Sequence, residues 1–408
     1  MAKLPKLNLL LQVLIAIVLG IALGSFLPEF LVRLFVTFNG IFGNFLGFII
    51  PLLIVGLITP AIDELGKGAG KWLAITAGLA YVSTILAGLL SWGTSMLVWP
   101  RVLSGTGVTE LADPESGLAT AFFTIEMPPM FQVMTALVFA FVVGVALTAF
   151  DAPVLHQVFV DFRHVINIVI SRIIVPLLPL YIFGIFLNMT FAGQVWEVIT
   201  AFFWVVVVVF ALTVIWLVLL YTVAGSVSKK NPFAMIRAML PAYATALGTS
   251  SSAATIPVTL RSAIKMGVSE NIAAFVIPLC ATIHLAGSTI KITGFALAIM
   301  FMSGMETPPL LILGFILMLG IAMVAAPGVP GGAIVTAAAL LESQLGFSPE
   351  QVGLMIATYI AIDSIGTATN VTGDGALAAI VDKLAGHPGH RDLGLHIPGT
   401  DPTPDPIV

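Results

Sequence analysis

Along most of the chain, apolar positions run too long and too evenly for helices with one wet face. The stretches near 8–28, 35–60, 72–99, 130–149, 157–189, 195–226, 270–302 and 350–384 are dominated by apolar residues. Roughly 20 such residues cross the ~30 Å of hydrocarbon in a bilayer, so each stretch predicts a membrane-spanning helix. Two further apolar stretches, 233–264 and 307–345, are interrupted midway, by GTSSSAA at 248–254 and by PGVPGG at 327–332. Backbone that leaves the helix at membrane depth must be buried in protein or line a cavity. Each stretch is therefore expected to form two short helices meeting at a tip, a re-entrant hairpin. Proline suits a first helical turn, which places the start of the first hairpin's second limb at Pro257.

The last segment carries a polar pattern inside its apolar one. Asp363, Thr367, Asn370 and Asp374 lie at offsets of 0, 4, 7 and 11, which is one face of a helix with 3.6 residues per turn. A carboxylate in hydrocarbon costs at least ~2.5 kcal/mol unless it faces a partner or water. Two of them on one stripe predict a site.

Composition fits this picture: 59% of the 408 residues are hydrophobic and 9% are charged, against about 25% charged in soluble domains. The chain is expected to be an all-α polytopic membrane protein, one membrane unit over 1–384. Its basic then apolar N-terminus resembles a signal peptide, but the apolar run is too long and lacks a clear cleavage pattern. It reads as the first span. A single cysteine, Cys280, excludes an intrachain disulfide and a thiolate metal cluster.

Lysine and arginine then set the orientation. With the N-terminus inside, the cytoplasmic segments hold eleven, from Lys3 to Arg391, and the external loops hold Arg33 and Arg101. That asymmetry obeys the positive-inside rule and puts both termini in the cytoplasm. The 101–128 loop becomes external and acidic. The two hairpins flank the 270–302 span, so they enter from opposite faces, the arrangement of an inverted-repeat carrier. The segment 385–408, with His387, His390 and His396, is expected to be a disordered cytoplasmic tail.

Hairpin tips at the midplane offer helix N-termini, with unpaired N–H groups, to an anionic substrate. The serine hydroxyls at 250–252 add further donors. The run TSSSAATIPVTLR at 249–261, PLCATIHLAGST at 278–289, PGVPGG, and AIDSIGTATNVTGD at 361–374 resembles the dicarboxylate/amino-acid:cation symporters, the glutamate-transporter homologues. That resemblance implies eight spanning helices plus two opposed hairpins, a homotrimer and an elevator motion. The scaffold would comprise the spans near 35–60, 130–149 and 157–189. The transport domain would hold those near 72–99, 195–226, 270–302 and 350–384 with both hairpins.

The resemblance also implies roles. Asp363 would bind a substrate α-ammonium with Thr367 beside it, and Asn370 the α-carboxylate. Ser251, Ser252 and Ser288 would join the substrate site, with Gly328 and Val329 closing from the second tip as the outer gate. Sodium, the coupling ion, would be held by the Asp374 carboxylate and by backbone at Cys280, Thr282, His284 and Asn370. Tyr81 and Thr84 match a third cation site.

Two departures matter. Acidic-substrate members carry an arginine where this chain has Gly366, so no guanidinium fork meets a second carboxylate from that position. Together with Asp363-Ser364-Ile365-Gly366-Thr367-Ala368-Thr369-Asn370, which resembles the serine/threonine branch, this favours a small neutral amino acid such as serine or threonine. An acidic amino acid or dicarboxylate is the alternative if another cation reaches the site. The second departure is His284-Leu285-Ala286-Gly287-Ser288 in place of Asn-Met-Asp-Gly-Thr. With Ala286 and Ile85, it degrades the third cation site. His284 and Lys291, seven residues apart, share a face of a regular helix and form a candidate proton site, so proton coupling is the alternative to sodium.

Other classes fit less well. An intramembrane aspartyl protease needs two carboxylates sharing a proton, whereas eleven residues of helix separate Asp363 and Asp374 by about 16 Å. The partners implied are the lipid bilayer, an amino acid and two further copies of the chain, with no nucleic acid. A substrate-gated anion channel would differ by passing current with no saturable accumulation.

Overall fold

A computed structural model describes residues 9–66, 70–103, 119–149, 151–193, 195–324, 326 and 331–386, and its regular structure is helical throughout. In order, the helices are Leu9–Gly24 (α1), Glu29–Gly66 (α2), Gly70–Val102 (α3), Val133–Ala149 (α4) and Pro153–Val169 (α5). A π-helical turn, Ile170–Ile174, joins α5 to Val175–Phe191 (α6), and Val195–Ser228 (α7) follows. Then come Pro232–Thr249 (α8), Ser252–Lys265 (α9), Glu270–Ile283 (α10) and Ala286–Met302 (α11). The last four are Pro309–Val324 (α12), Gly332–Leu345 (α13), Pro349–Ala361 (α14) and Asp363–Leu384 (α15).

Among the described residues, five helical runs are long and apolar enough to cross a bilayer: Glu29–Pro60, Lys71–Val102, Pro153–Phe191, Phe202–Ser228 and Glu270–Met302. The pair α14 and α15 makes a sixth, bent by 64°. The outward faces match lipid. On α7, Phe203, Val207, Phe210 and Val214 are all exposed and fall on one stripe, while Val205, Val209 and Leu212 are buried on the other. A helix apolar on both sides belongs in a membrane or a large core. The chain is a helical membrane protein.

Three sequence expectations change. The last segment is not one straight span: at Ile362 the backbone leaves the helix (φ −120°, ψ 22°) and Asp363 begins a new one. The 270–302 segment also breaks, at His284 (φ −106°, ψ 96°) and Leu285 (φ −119°, ψ 44°). His284 and Lys291 therefore do not share the face of one regular helix. The second limb of the first broken segment starts at Ser252 rather than Pro257. Ser251 caps it, accepting from the Ala254 amide at 3.3 Å, and a side-chain cap satisfies a donor that proline would merely lack. Pro257 lies inside α9. The PGVPGG tip falls largely outside the described residues, Gly328 and Val329 included, as do His387, His390 and His396.

Packing centres on α15. Residues 366–382 are all buried, and α15 contacts α7, α8, α9, α10 and α11. Elsewhere α2 packs on α4, α5 and α6, and α1 on α6. The lower end of α15 is tied down by Asp382, which accepts from the Ser269 amide (3.2 Å) and hydroxyl (2.6 Å) at the start of α10.

The α11–α15 contact depends on Gly287. A Cβ there would lie 2.6 Å from the Gly366 carbonyl oxygen and 2.6 Å from Thr369 Cβ. Neither atom is the flexible end of a long side chain. Gly287→Ala is expected to destabilise the protein by about 1–3 kcal/mol through overpacking. Thermal unfolding in detergent reads this directly, and an unchanged midpoint would show that the two helices can part without penalty.

Candidate functional site

The polar stripe of α15 faces the seam where α10 ends and α11 begins, and each of its strongest polar groups meets a partner there. Asp363 opens α15 just past the bend. Its Oδ1 lies 3.1 Å from the Lys291 ammonium on α11, and its Oδ2 accepts from the Gly331 amide at 2.9 Å. Gly331 has a left-handed backbone (φ 75°) that turns the chain into α13, a conformation glycine reaches without strain. The start of α13 is thereby fastened to the Asp363 carboxylate.

Lys291 is fully buried. Its ammonium sits 3.6 Å from the centre of the Tyr359 ring, a favourable place for a desolvated cation. The network then runs on: the Tyr359 hydroxyl donates to Ser288 Oγ at 2.8 Å, and Asn370 Nδ2 donates to the same oxygen at 3.1 Å. Asn370 Oδ1 accepts from the Gly287 and Ser288 amides at 2.8 and 3.3 Å. These are the first N–H groups of α11, which have no helical partner of their own. Thr367 donates back to the Asp363 carbonyl at 3.0 Å and stays within α15.

One turn lower, Asp374 Oδ1 lies 2.9 Å from His284 Nδ1, and His284 Nε2 lies 2.9 Å from Ser83 Oγ on α3. A neutral ring satisfies both contacts, with Nδ1–H donating to the carboxylate and Nε2 accepting from the serine. The other carboxylate oxygen, Asp374 Oδ2, is buried and has no hydrogen-bond partner among the described residues. Leaving such an oxygen without a donor is costly, and a hard cation with oxygen ligands would satisfy it.

The remaining expected site residues scatter more. Ser252 is buried at the tip between α8 and α9, and Ser250 turns that tip with φ 48°. The Cys280 carbonyl accepts from the His284 amide at 2.8 Å, and the Thr282 hydroxyl donates to the Leu279 carbonyl. Tyr81 donates to the Leu317 carbonyl on α12 at 3.3 Å, whereas Thr84 Oγ1 is buried without a partner among the described residues. Ile85 packs at Gly320 of the same α12, so Tyr81 and Ile85 serve the contact between α3 and α12.

Three participants escape a sequence reading: Tyr359, Gly331 and Ser83. Tyr359 had a signal, since it stands four residues before Asp363 in a segment with two other aspartates. Gly331 lay within the PGVPGG break without a role of its own, and Ser83 had no signal. A separate cavity of about 760 Å³ lies between α2, α6, residues 119–124 and the start of α14, and the stripe residues do not line it.

A family model described as the sodium:dicarboxylate symporter family matches residues 9–384. The chain belongs to that family. Among curated relatives of this symporter family, the chain is 30% identical to human excitatory amino acid transporter 2 over 56% of its own length and 41% of that protein's. It is 37% identical to mouse excitatory amino acid transporter 4 over 41% of the chain and 29% of that protein. It is 28% identical to a Caenorhabditis elegans excitatory amino acid transporter over 73% of the chain and 59% of that protein. The matched regions thus span about a third to three fifths of these relatives' lengths.

Proposed function

We propose that this chain is a secondary active symporter that couples inward sodium flow to uptake of a small amino acid. The observation that carries the reading is the pair of buried carboxylates on α15, each turned to the broken seam between α10 and α11. Such a stripe in a membrane helix needs a solute or ion to justify it. Broken helices meeting near the midplane are where carriers place their sites.

In this reading Asp363 receives the substrate's ammonium. The Gly331 amide then has to give up its carboxylate oxygen or share it, which links binding to movement at the start of α13. Asn370 is held in one orientation by three hydrogen bonds and presents its edge to the substrate's carboxylate. Ser252 and the tip between α8 and α9 approach from the other side. Sodium is a co-substrate, and Asp374 Oδ2 is the ligand that supports it. The α2, α4, α5 and α6 group would form a fixed scaffold within a homotrimer, both termini cytoplasmic, and the helices around α15 would move as the elevator.

The expectation of a neutral substrate such as serine or threonine rested on a missing cation at position 366. Lys291 alters that premise, because its ammonium lies beside Gly366. This favours the second reading, an acidic amino acid or dicarboxylate.

Purified protein in liposomes decides the function. Labelled serine, threonine, alanine, aspartate and succinate are offered under separate sodium and proton gradients. Saturable accumulation of at least one of them, driven by sodium, is expected. Current without accumulation would replace the carrier with a channel, and uptake driven by protons but indifferent to sodium would remove the coupling role from Asp374.

A further inference from the structure

Position 366 is empty of side chain but not of charge. A Cβ built on Gly366 would lie 2.3 Å from Lys291 Cε and 2.6 Å from its Nζ. The end of the lysine, arriving from α11, fills the volume that any side chain at 366 would take. We propose that Lys291 is the specificity-determining cation of this transporter, and that its substrate must bring a second carboxylate to meet it. This rests on the reading that Asp363 receives the substrate's ammonium.

The argument is one of charge. Lys291 is fully buried, and among the described residues Asp363 is its one carboxylate partner. Its other neighbours are the Tyr359 ring face and the carbonyls of Ile362 and Asp363, both at a loose 3.5 Å. A neutral amino acid adds one ammonium and one carboxylate. Its ammonium would claim Asp363, and its α-carboxylate would lie towards Asn370 and the α8–α9 tip. Lys291 would then lose its counter-charge inside the protein, which is strongly destabilising. A substrate with a further carboxylate replaces what it takes, ammonium to Asp363 and side-chain carboxylate to Lys291.

Geometry agrees with that exchange. An ammonium has three N–H donors, and one short contact to Asp363 does not use them all. Lysine is a compact charge on a flexible stem, so its Nζ can follow a carboxylate by a small rotation. Gly366 itself has no side chain to obstruct the movement. A four- or five-carbon acidic amino acid is the chemical class that fits. A neutral amino acid with a hydroxyl or methyl side chain is the class that Lys291 excludes.

Uptake by the unaltered protein in liposomes gives the first test, with aspartate, glutamate, succinate, serine and threonine compared by kcat/KM under one sodium gradient. Aspartate or glutamate is expected to exceed serine by roughly a hundredfold or more, the penalty for stranding a buried charge. Serine transport equal to or better than aspartate transport overturns the proposal while leaving symport intact. Accumulation of none of the five overturns the symport reading itself.

The second test moves the charge. Lys291→Met is expected to lose roughly a hundredfold in kcat/KM for aspartate with a far smaller change for serine. Lys291→Ala combined with Gly366→Arg should restore preference for the acidic substrate, because the shortened side chain no longer fills that space. Elution as a single species and a thermal midpoint near the parent's identify folded variants. Should Lys291→Met fail to fold, the selectivity of the unaltered protein still decides. A folded Lys291→Met that keeps full preference for aspartate refutes the assignment and leaves Lys291 a structural ion pair.

Discussion

Asp363→Asn is expected to abolish uptake and to lower folding stability by about 3–5 kcal/mol, the range for breaking a buried ion pair from one side. The asparagine keeps the shape of the carboxylate, and its carbonyl oxygen can still accept from the Gly331 amide. What it cannot do is balance the Lys291 ammonium, which is fully buried. Removing both charges together should undo most of the damage to folding. An Asp363→Asn, Lys291→Met double variant is therefore expected to recover to within about 1–2 kcal/mol of the parent, yet to remain inactive in uptake. Denaturation in detergent and liposome uptake, measured on all three variants, separate the two roles. A single Asp363→Asn variant as stable as the parent would mean that Lys291 finds its counter-charge elsewhere.

That prediction rests on a contact between residues 72 positions apart in the chain. What was legible in the sequence was of a different kind. Apolar helices could be read because hydrocarbon demands length, and each apolar run became a helix or a broken pair of helices. The runs near 8–28 and 130–149 nonetheless give helices of 16 and 17 residues, short of a full crossing. The break within 248–254 could be read because Gly and Ser withdraw from helices for local reasons. The stripe at 363–374 could be read because a carboxylate in an apolar helix demands an explanation. Each of these is a one-dimensional signal.

The parts that were not legible are those where two elements meet. No proline or glycine marks the bend at Ile362, which is set by what α14 and α15 pack against. The start of α9 lies at Ser252 rather than at Pro257 because the Ser251 side chain caps it, and a proline five residues after Ser252 does not reveal that cap. Gly366 carried the sharpest sequence inference and also its weakest point. A glycine says what one chain position lacks. It does not say what a neighbouring helix puts there, and here the neighbour supplies an ammonium. The polar stripe showed that charges had to be matched inside the membrane, and the structure shows which side chains match them.

The second carboxylate should behave differently from the first when it is neutralised. Asp374 faces His284, and a neutral histidine is satisfied by donating to an asparagine oxygen as well as to a carboxylate. Asp374→Asn therefore strands no buried fixed charge, and folding stability is expected to stay within about 1 kcal/mol of the parent. The loss should fall on the ion instead. Asp374 Oδ2 is buried with no hydrogen-bond partner among the described residues, and a unit negative charge there attracts a sodium ion by several kcal/mol at an effective dielectric near 20. An amide oxygen retains a fraction of that. The sodium concentration for half-maximal uptake is expected to rise on the order of a hundredfold, while aspartate or serine selectivity, set higher up the helix, stays where it was. Uptake measured against a sodium series in liposomes reads the shift. If the sodium dependence of the Asp374→Asn variant matches the parent's, the coupling ion does not sit on this carboxylate.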